Sequence, residues 1–287
     1  MTSSAVSVHG LRKSYGTLDA VRGITFEIET GETFALLGPN GAGKSTTIEI
    51  LEGYRSRSAG EVRVLGVDPS HGTTAWKARF GIVLQTSAED SNVTVQEQLS
   101  HFARFYPNSR DVDEVIAAVG LSEKARTRIT KLSGGQRRRL DVALGVIGRP
   151  ELLFLDEPTT GFDPEARRQF WDLIRSLKRE GTTILLTTHY LDEAAALSDR
   201  AGIIAHGELI ALAAIDQLGG AKARIPIVRW QGSDGVVHEE RTEHPATRVS
   251  QLVAAGGEPR NLEVIRPSLE DIYFELVSSE GGEPAQV

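Results

Sequence analysis

"TFALLGPNGAGKSTTIEILEG", residues Thr33 to Gly53, decides the architecture of this chain. Thr33 to Leu37 is an apolar run of buried-strand type, and Ile48 and Leu51 stand at helical spacing until Gly53. Between them Gly38, Pro39, Asn40, Gly41, Ala42, Gly43, Lys44, Ser45 and Thr46 satisfy G-x-x-x-x-G-K-[ST]. Strand, glycine-rich loop and helix in that order make a cradle for phosphate. Successive backbone N–H groups wrap the anion, Lys44 reaches the outer phosphates, and the Ser45 hydroxyl is placed to ligate Mg²⁺.

Hydrolysis of a bound phosphate needs acidic groups as well as a cradle, and "ELLFLDEPTTGFDP" supplies them. Leu152 to Leu155 read as a buried strand that delivers Asp156 and Glu157 at its C-terminal edge, where open parallel sheets bind ligands. Asp156 suits Mg²⁺ ligation, usually through water, and Glu157 can orient or deprotonate an attacking water. A second apolar run, "TTILLTTHY", is expected to end at His189 and bring its imidazole to the same sheet edge. Gln85 closes "FGIVLQ" with similar placement, and its amide could join Mg²⁺ or water to the chain beyond.

"LSGGQ", Leu132 to Gln136, has no titratable group, metal ligand or evident nucleophile. Leu140, Ala143, Leu144 and Ile147 follow at the spacing of one buried helix face, before Gly148 and Pro150 end it, so Ser133 lies at a helix start. A helix start gathers unpaired N–H groups and the positive end of the macrodipole, and two glycines let an anion approach the backbone. The run Arg137 to Arg139 is expected to be a solvated helix face rather than a nucleic-acid patch.

Composition agrees with an enzyme of one main domain and a smaller one: the chain has 287 residues. A formal charge of −7 argues against nucleic acid as the principal partner. The absence of cysteine excludes disulfides and thiol chemistry. The start "MTSSAVSVHG" lacks the apolar stretch of a signal peptide. No run of about 18 apolar residues occurs, so no membrane-spanning helix is expected.

Together these stretches resemble the nucleotide-binding subunit of ATP-binding cassette (ABC) transporters, over about Val6 to Leu218. The ordered set that carries the resemblance is "KSYG", the glycine-rich loop, the Gln85 loop, "LSGGQ", "LLFLDEP", the "GFD" loop and His189. The resemblance implies ATP and Mg²⁺ as cofactors and ATP hydrolysis as the activity. It implies that Tyr15 stacks on adenine, that Lys44 and Ser45 hold phosphates and Mg²⁺, and that Gln85 senses Mg²⁺ while contacting a membrane partner. It further implies that Asp156 orders Mg²⁺, that Glu157 is the general base and that His189 stabilises the γ-phosphate. In this family Ser133, Gly134, Gly135 and Gln136 of one subunit, with Asp163, act in trans on ATP held by another, in a head-to-tail dimer. "LSGGQ" thus needs no reactive group, because it is a clamp. Phe162 departs from the usual leucine of its loop, with little effect expected because Asp163 is retained.

The expected fold is α/β: a P-loop NTPase core of the ABC type with a mostly parallel sheet and an N-terminal antiparallel part. A helical subdomain is expected over about 86–150, within a nucleotide-binding domain of residues 1–220. From Gly219 and Gly220 the pattern changes to short strands in "RIPIVRW", "GVVHEE" and "LEVIR", with helices over about Ala246 to Ala255 and in "SLEDIYFEL". This predicts a small α+β appendage, residues 221–287, ending in a disordered "SSEGGEPAQV".

"DEPTTGFDPEAR", "THYLDEA" and "SLEDIYFEL" resemble the drug-resistance and antibiotic exporter branch, whose multi-span membrane subunits are separate chains. The resemblance therefore implies a second nucleotide-binding subunit as partner, a homodimer, held on the cytoplasmic face of the membrane. An importer ATPase and a soluble cassette ATPase without a membrane subunit remain alternatives. The long coiled-coil insertions and second cassette of soluble members do not appear. A degenerate cassette that only binds ATP is disfavoured because Glu157 and His189 are both present.

Overall fold

The computed structural model describes residues 4–84, 92–232, 234–256 and 259–279. Its elements in chain order are β1 (Ser4–Tyr15), β2 (Leu18–Glu29), β3 (Thr33–Leu37), α1 (Lys44–Leu51), β4 (Ala59–Val64), α2 (Thr74–Lys77), β5 (Phe80–Val83), α3 (Val95–Ala103), α4 (Val112–Ala118) and α5 (Gly134–Val146). There follow β6 (Leu152–Asp156), α6 (Pro164–Arg179), β7 (Thr183–Thr187), α7 (Leu191–Leu197), β8 (Arg200–Ala205), β9 (Glu208–Ala214), α8 (Gly220–Ala223), β10 (Ile227–Gln231), β11 (Val237–Arg241), α9 (Pro245–Gly256), β12 (Arg260–Ile265) and α10 (Leu269–Ser279).

The chain divides into two compact units, Met1–Leu212 and Ala213–Val287. In the first, a six-stranded sheet has the order β5-β6-β7-β3-β8-β9, with parallel pairing from β5 through β8. β3 is buried along its whole length, as are the first four residues of β6 and all of β7. Continuous apolar runs of this kind belong to parallel strands covered on both faces. β9 follows β8 through His206 and Gly207, a connection too short for a parallel crossover. β2, β1 and β4 form a separate antiparallel sheet, the expected N-terminal part.

The core of this unit lies where the antiparallel sheet faces α1 and the parallel sheet. Phe26 of β2 stacks on Phe34 of β3 at 5.5 Å, and Trp76, Phe80 and Phe154 form an edge-to-face chain beside them. Such pairs add to the apolar area they bury. α6 starts where Asp163 accepts from Ala166 N and Pro164 takes the first turn, and it buries Ala166, Phe170, Ile174 and Leu177 along one stripe. Between β5 and β6 the described elements are helical, α3, α4 and α5, as the spacing predicts.

Two expectations need correction. β7 ends at Thr187, not at His189, because the Thr188 hydroxyl accepts from Tyr190 N and turns the chain toward α7. Arg138 is not solvated: it is 4% exposed, on the buried face of α5 beside Leu140 and Val142.

In the second unit β10 lies between β11 and β12 in an antiparallel sheet, with Leu218, Val228 and Ile272 fully buried. Trp230 stacks on His238 at 5.4 Å, and the Arg248 guanidinium covers the Trp230 ring at 5.2 Å. Of the tail read as disordered, residues 278–287, Ser278 and Ser279 instead end α10, and residues 280–287 lie outside the described residues. Among the described residues no helix is long and apolar enough to cross a membrane.

Candidate functional site

The loop from β3 to α1 has no room for side chains at two of its glycines. A Cβ on Gly38 would sit 2.1 Å from Ile204 O, and one on Gly43 would sit 2.5 Å from Ala20 O, at φ +154° and +106°. Ala42 O accepts from Gly207 N at 3.2 Å, and Gly207 O accepts from Arg22 N at 2.7 Å, which pins the loop between β2 and the β8–β9 turn. α1 begins at Lys44 with Gly43 as its cap, so the first-turn amides have no intrahelical partner. Ser45 is exposed there. The Lys44 ammonium donates to Gly38 O at 2.6 Å and Pro39 O at 3.1 Å, closing the loop over itself. Burial pulls the Lys44 pKa below the usual lysine range, while the nearby carboxylates of Glu157 and Asp156 oppose that shift.

Those carboxylates stand at the C-terminal edge of β6, between β5 and β7. Asp156 is in register with Thr187, whose hydroxyl donates to Asp156 Oδ1. Glu157 has φ +47°, a left-handed backbone that a non-glycine residue adopts at an energetic penalty. Its N–H is held by Thr187 O at 3.1 Å and Thr187 Oγ1 at 3.3 Å. His189 Nδ1 lies 3.5 Å from Glu157 Oε2. The His189 ring packs on Tyr190 at 4.0 Å, and Arg167 covers Tyr190 from 4.2 Å. Beneath this turn Glu193 is fully buried and accepts from Trp171 Nε1 at 3.3 Å. Burial raises its pKa, opposed by the Trp171 hydrogen bond.

Ser133 caps α5 as the sequence predicts. Its hydroxyl accepts from Gln136 N at 3.3 Å, and Gln136 Oε1 accepts from Ser133 N at 3.1 Å. Among the described residues no hydrogen bond joins Ser133–Gln136 to the loop Gly38–Thr46. Gly161 O stands 3.4 Å from where a Gly135 Cβ would be, which brings the "GFD" loop against "LSGGQ". Asp163 caps α6 and faces Arg139 at 3.9 Å. Phe162 is buried edge-on against Phe170 at 6.0 Å. Tyr15 ends β1 and is 39% exposed, its ring flanked by Lys13 at 4.9 Å and Arg55 at 5.3 Å. Gln85 lies outside the described residues.

The structure therefore gathers Lys44, Asp156, Glu157 and His189 at one sheet edge, and among the described residues Ser133 is hydrogen-bonded only within its own helix cap. A family model described as ABC transporter matches residues 21–160. The chain is 41% identical over 235 residues to the Nod factor export ATP-binding protein I of Rhizobium johnstonii, covering 80% of this chain and 76% of that one. This chain belongs to the ABC transporter family. A daunorubicin resistance ATP-binding protein of Streptomyces coeruleorubidus is 34% identical over 312 residues, with 98% of each chain covered. Among solved structures, an ATP binding subunit of an ABC transporter matches with TM-score 0.72 at 23% identity, over 95% of this chain and 99% of that one. That last likeness establishes the fold. The protein is an ATP-binding, ATP-hydrolysing cassette of the exporter type within the ABC family, as its motifs imply.

Three residues that matter to this ABC site were missed in the sequence: Thr187, Glu193 and Arg138. Thr187 sits within a run of threonines that reads only as strand. Glu193 and Arg138 carry charge, which predicts exposure unless a partner is known.

Proposed function

We propose that this cassette works as a homodimer on the cytoplasmic face of the membrane, driving export of amphipathic small molecules through separate multi-span membrane subunits. The names of the Rhizobium and Streptomyces relatives, Nod factor export and daunorubicin resistance, support export of such compounds. ATP is cradled by Gly38 to Thr46, with Lys44 leaving its loop carbonyls for the outer phosphates and Tyr15 against the base. The donor set fits Mg²⁺, since the exposed Ser45 hydroxyl and the Asp156 carboxylate are hard oxygen ligands beside the phosphate cradle. Bound there, Mg²⁺ would neutralise charge on the outer phosphates, with Gln85 completing its contacts.

Glu157 takes the proton of the attacking water, and His189 stabilises the γ-phosphate in the transition state from the neighbouring position. Ser133, Gly134, Gly135, Gln136 and Asp163 of the second subunit close the site from outside. Closure stores ATP binding energy in the shape of the pair, and hydrolysis releases it, so a chemical step becomes a conformational one. The observation that carries this reading is the convergence of Lys44, Asp156, Glu157 and His189, with Ser133 uncommitted to its own chain's loop. Lys44→Ala should abolish tight ATP binding, whereas Glu157→Gln should bind ATP and lose about 10²- to 10⁴-fold in turnover. Near-normal turnover by Glu157→Gln would remove it from the base role.

A further inference from the structure

Arg138 is a buried cation that, among the described residues, has no hydrogen-bonded carboxylate. Its guanidinium is spent on backbone carbonyls instead: Nε donates to Pro158 O at 3.1 Å, and Nη2 donates to Asp156 O at 2.7 Å and Glu157 O at 3.0 Å. Nη1 donates to Leu84 O, the last described residue before Gln85. Asp141, Asp156, Glu157 and Glu193 supply the balancing charge from a distance, while burial lowers the arginine's pKa. One side chain on the "LSGGQ" helix thus joins α5, the end of β5 and the loop bearing the hydrolytic carboxylate.

The position of those bonds matters because Glu157 is in the left-handed region. Thr187 holds its N–H side, and Arg138 holds the carbonyls on both sides of the strained residue. A conformation of this kind persists only where its surroundings over-determine it. Lysine, a point charge with no planar fork, cannot span the same carbonyls.

The geometry points to Arg138 as a positioning residue that acts in cis: it holds its own chain's Glu157 in the hydrolytic pose and ties that pose to the helix whose start clamps the neighbouring subunit's ATP. This rests on the head-to-tail reading above. The two composite sites would then be coupled through one side chain five residues along from Ser133.

The test uses the full chain. Arg138→Met should lower kcat by about 10²-fold while ATP affinity stays within about threefold, because misplacing a reacting group acts on turnover and not on ground-state binding. Removing the guanidinium leaves buried carbonyls without their donor, so thermal melting should fall, and turnover and affinity are compared at a temperature where the variant is fully folded. If Arg138→Met fails to fold, Arg138→Lys carries the test, with kcat about tenfold down and ATP affinity kept. Turnover like the wild type's in these variants, or ATP affinity falling in step with kcat in the folded variant, would overturn the assignment.

Mixing separates it from the clamp. Lys44→Ala mixed with Ser133→Arg should regain activity, since one composite site is whole. Lys44→Ala mixed with Arg138→Met should not, because the only site with an intact Lys44 has its own Glu157 misplaced. Recovery in both mixtures would overturn the cis role of Arg138, whereas failure of the Ser133→Arg mixture alone would count against the head-to-tail reading.

Discussion

His189 Nδ1 and Glu157 Oε2 stand 3.5 Å apart across the ends of neighbouring parallel strands. The pairing is held from both sides, by the Thr187 contacts to Glu157 and by the Tyr190 ring against the imidazole. His189→Ala should therefore leave ATP binding intact and reduce hydrolysis by about 10²-fold, the lower end of what one donor stabilising transition-state charge contributes. Parallel measurement of nucleotide affinity and phosphate release checks this, and a large loss of affinity would refute it.

Gly38→Ala should damage the cradle itself. The new methyl would have to occupy space 2.1 Å from Ile204 O, on a backbone at φ +154°. Displacing β8 or the loop is the only relief, so the variant should lose ATP binding together with several degrees of thermal stability. A variant that melts and binds as the wild type does would show that the loop has more freedom than these contacts allow.

Glu52, buried at the end of α1 near Asp156 and Glu49, has its pKa raised to about 8, chiefly by burial. Below about pH 4.5 both the folded and the unfolded chain hold its proton. Between pH 4.5 and 8 the unfolded chain releases it and the folded chain keeps it, so stability falls as pH rises through that window. The slope from this one group is at most about 1.4 kcal/mol per pH unit. Glu52→Gln should match the wild type near pH 4.5 and exceed its melting temperature at pH 8, by about 2–4 °C for each kcal/mol recovered. Parallel melting curves across the range would contradict this.

Much of the fold is legible in the sequence because its signals are local. "TFALL" reads as a covered strand, the glycines that follow admit only a tight loop, and Ser133 before an apolar helical spacing marks a helix start. The carboxylates Asp156 and Glu157 follow from their strand for the same reason. Arg138 was hidden because a cation in a triple-arginine run predicts solvent, and the carbonyls that bury it come from 54 residues upstream and 18 to 20 downstream. The left-handed backbone of Glu157 carries no sequence mark, since only glycine or asparagine advertises it. The strand before His189 reads two residues too long, because threonine favours strands and turns alike.

The most direct measurement is the solution mass of Glu157→Gln with and without ATP, the subunit being 31.1 kDa. If ATP held by one subunit's Lys44 loop is closed over by the other's Ser133, ATP should double the mass of this hydrolysis-blocked variant, and adding Ser133→Arg should return it to that of a single subunit. ATP bound to Glu157→Gln with no change in mass, at concentrations where the nucleotide site is filled, would contradict the head-to-tail pair.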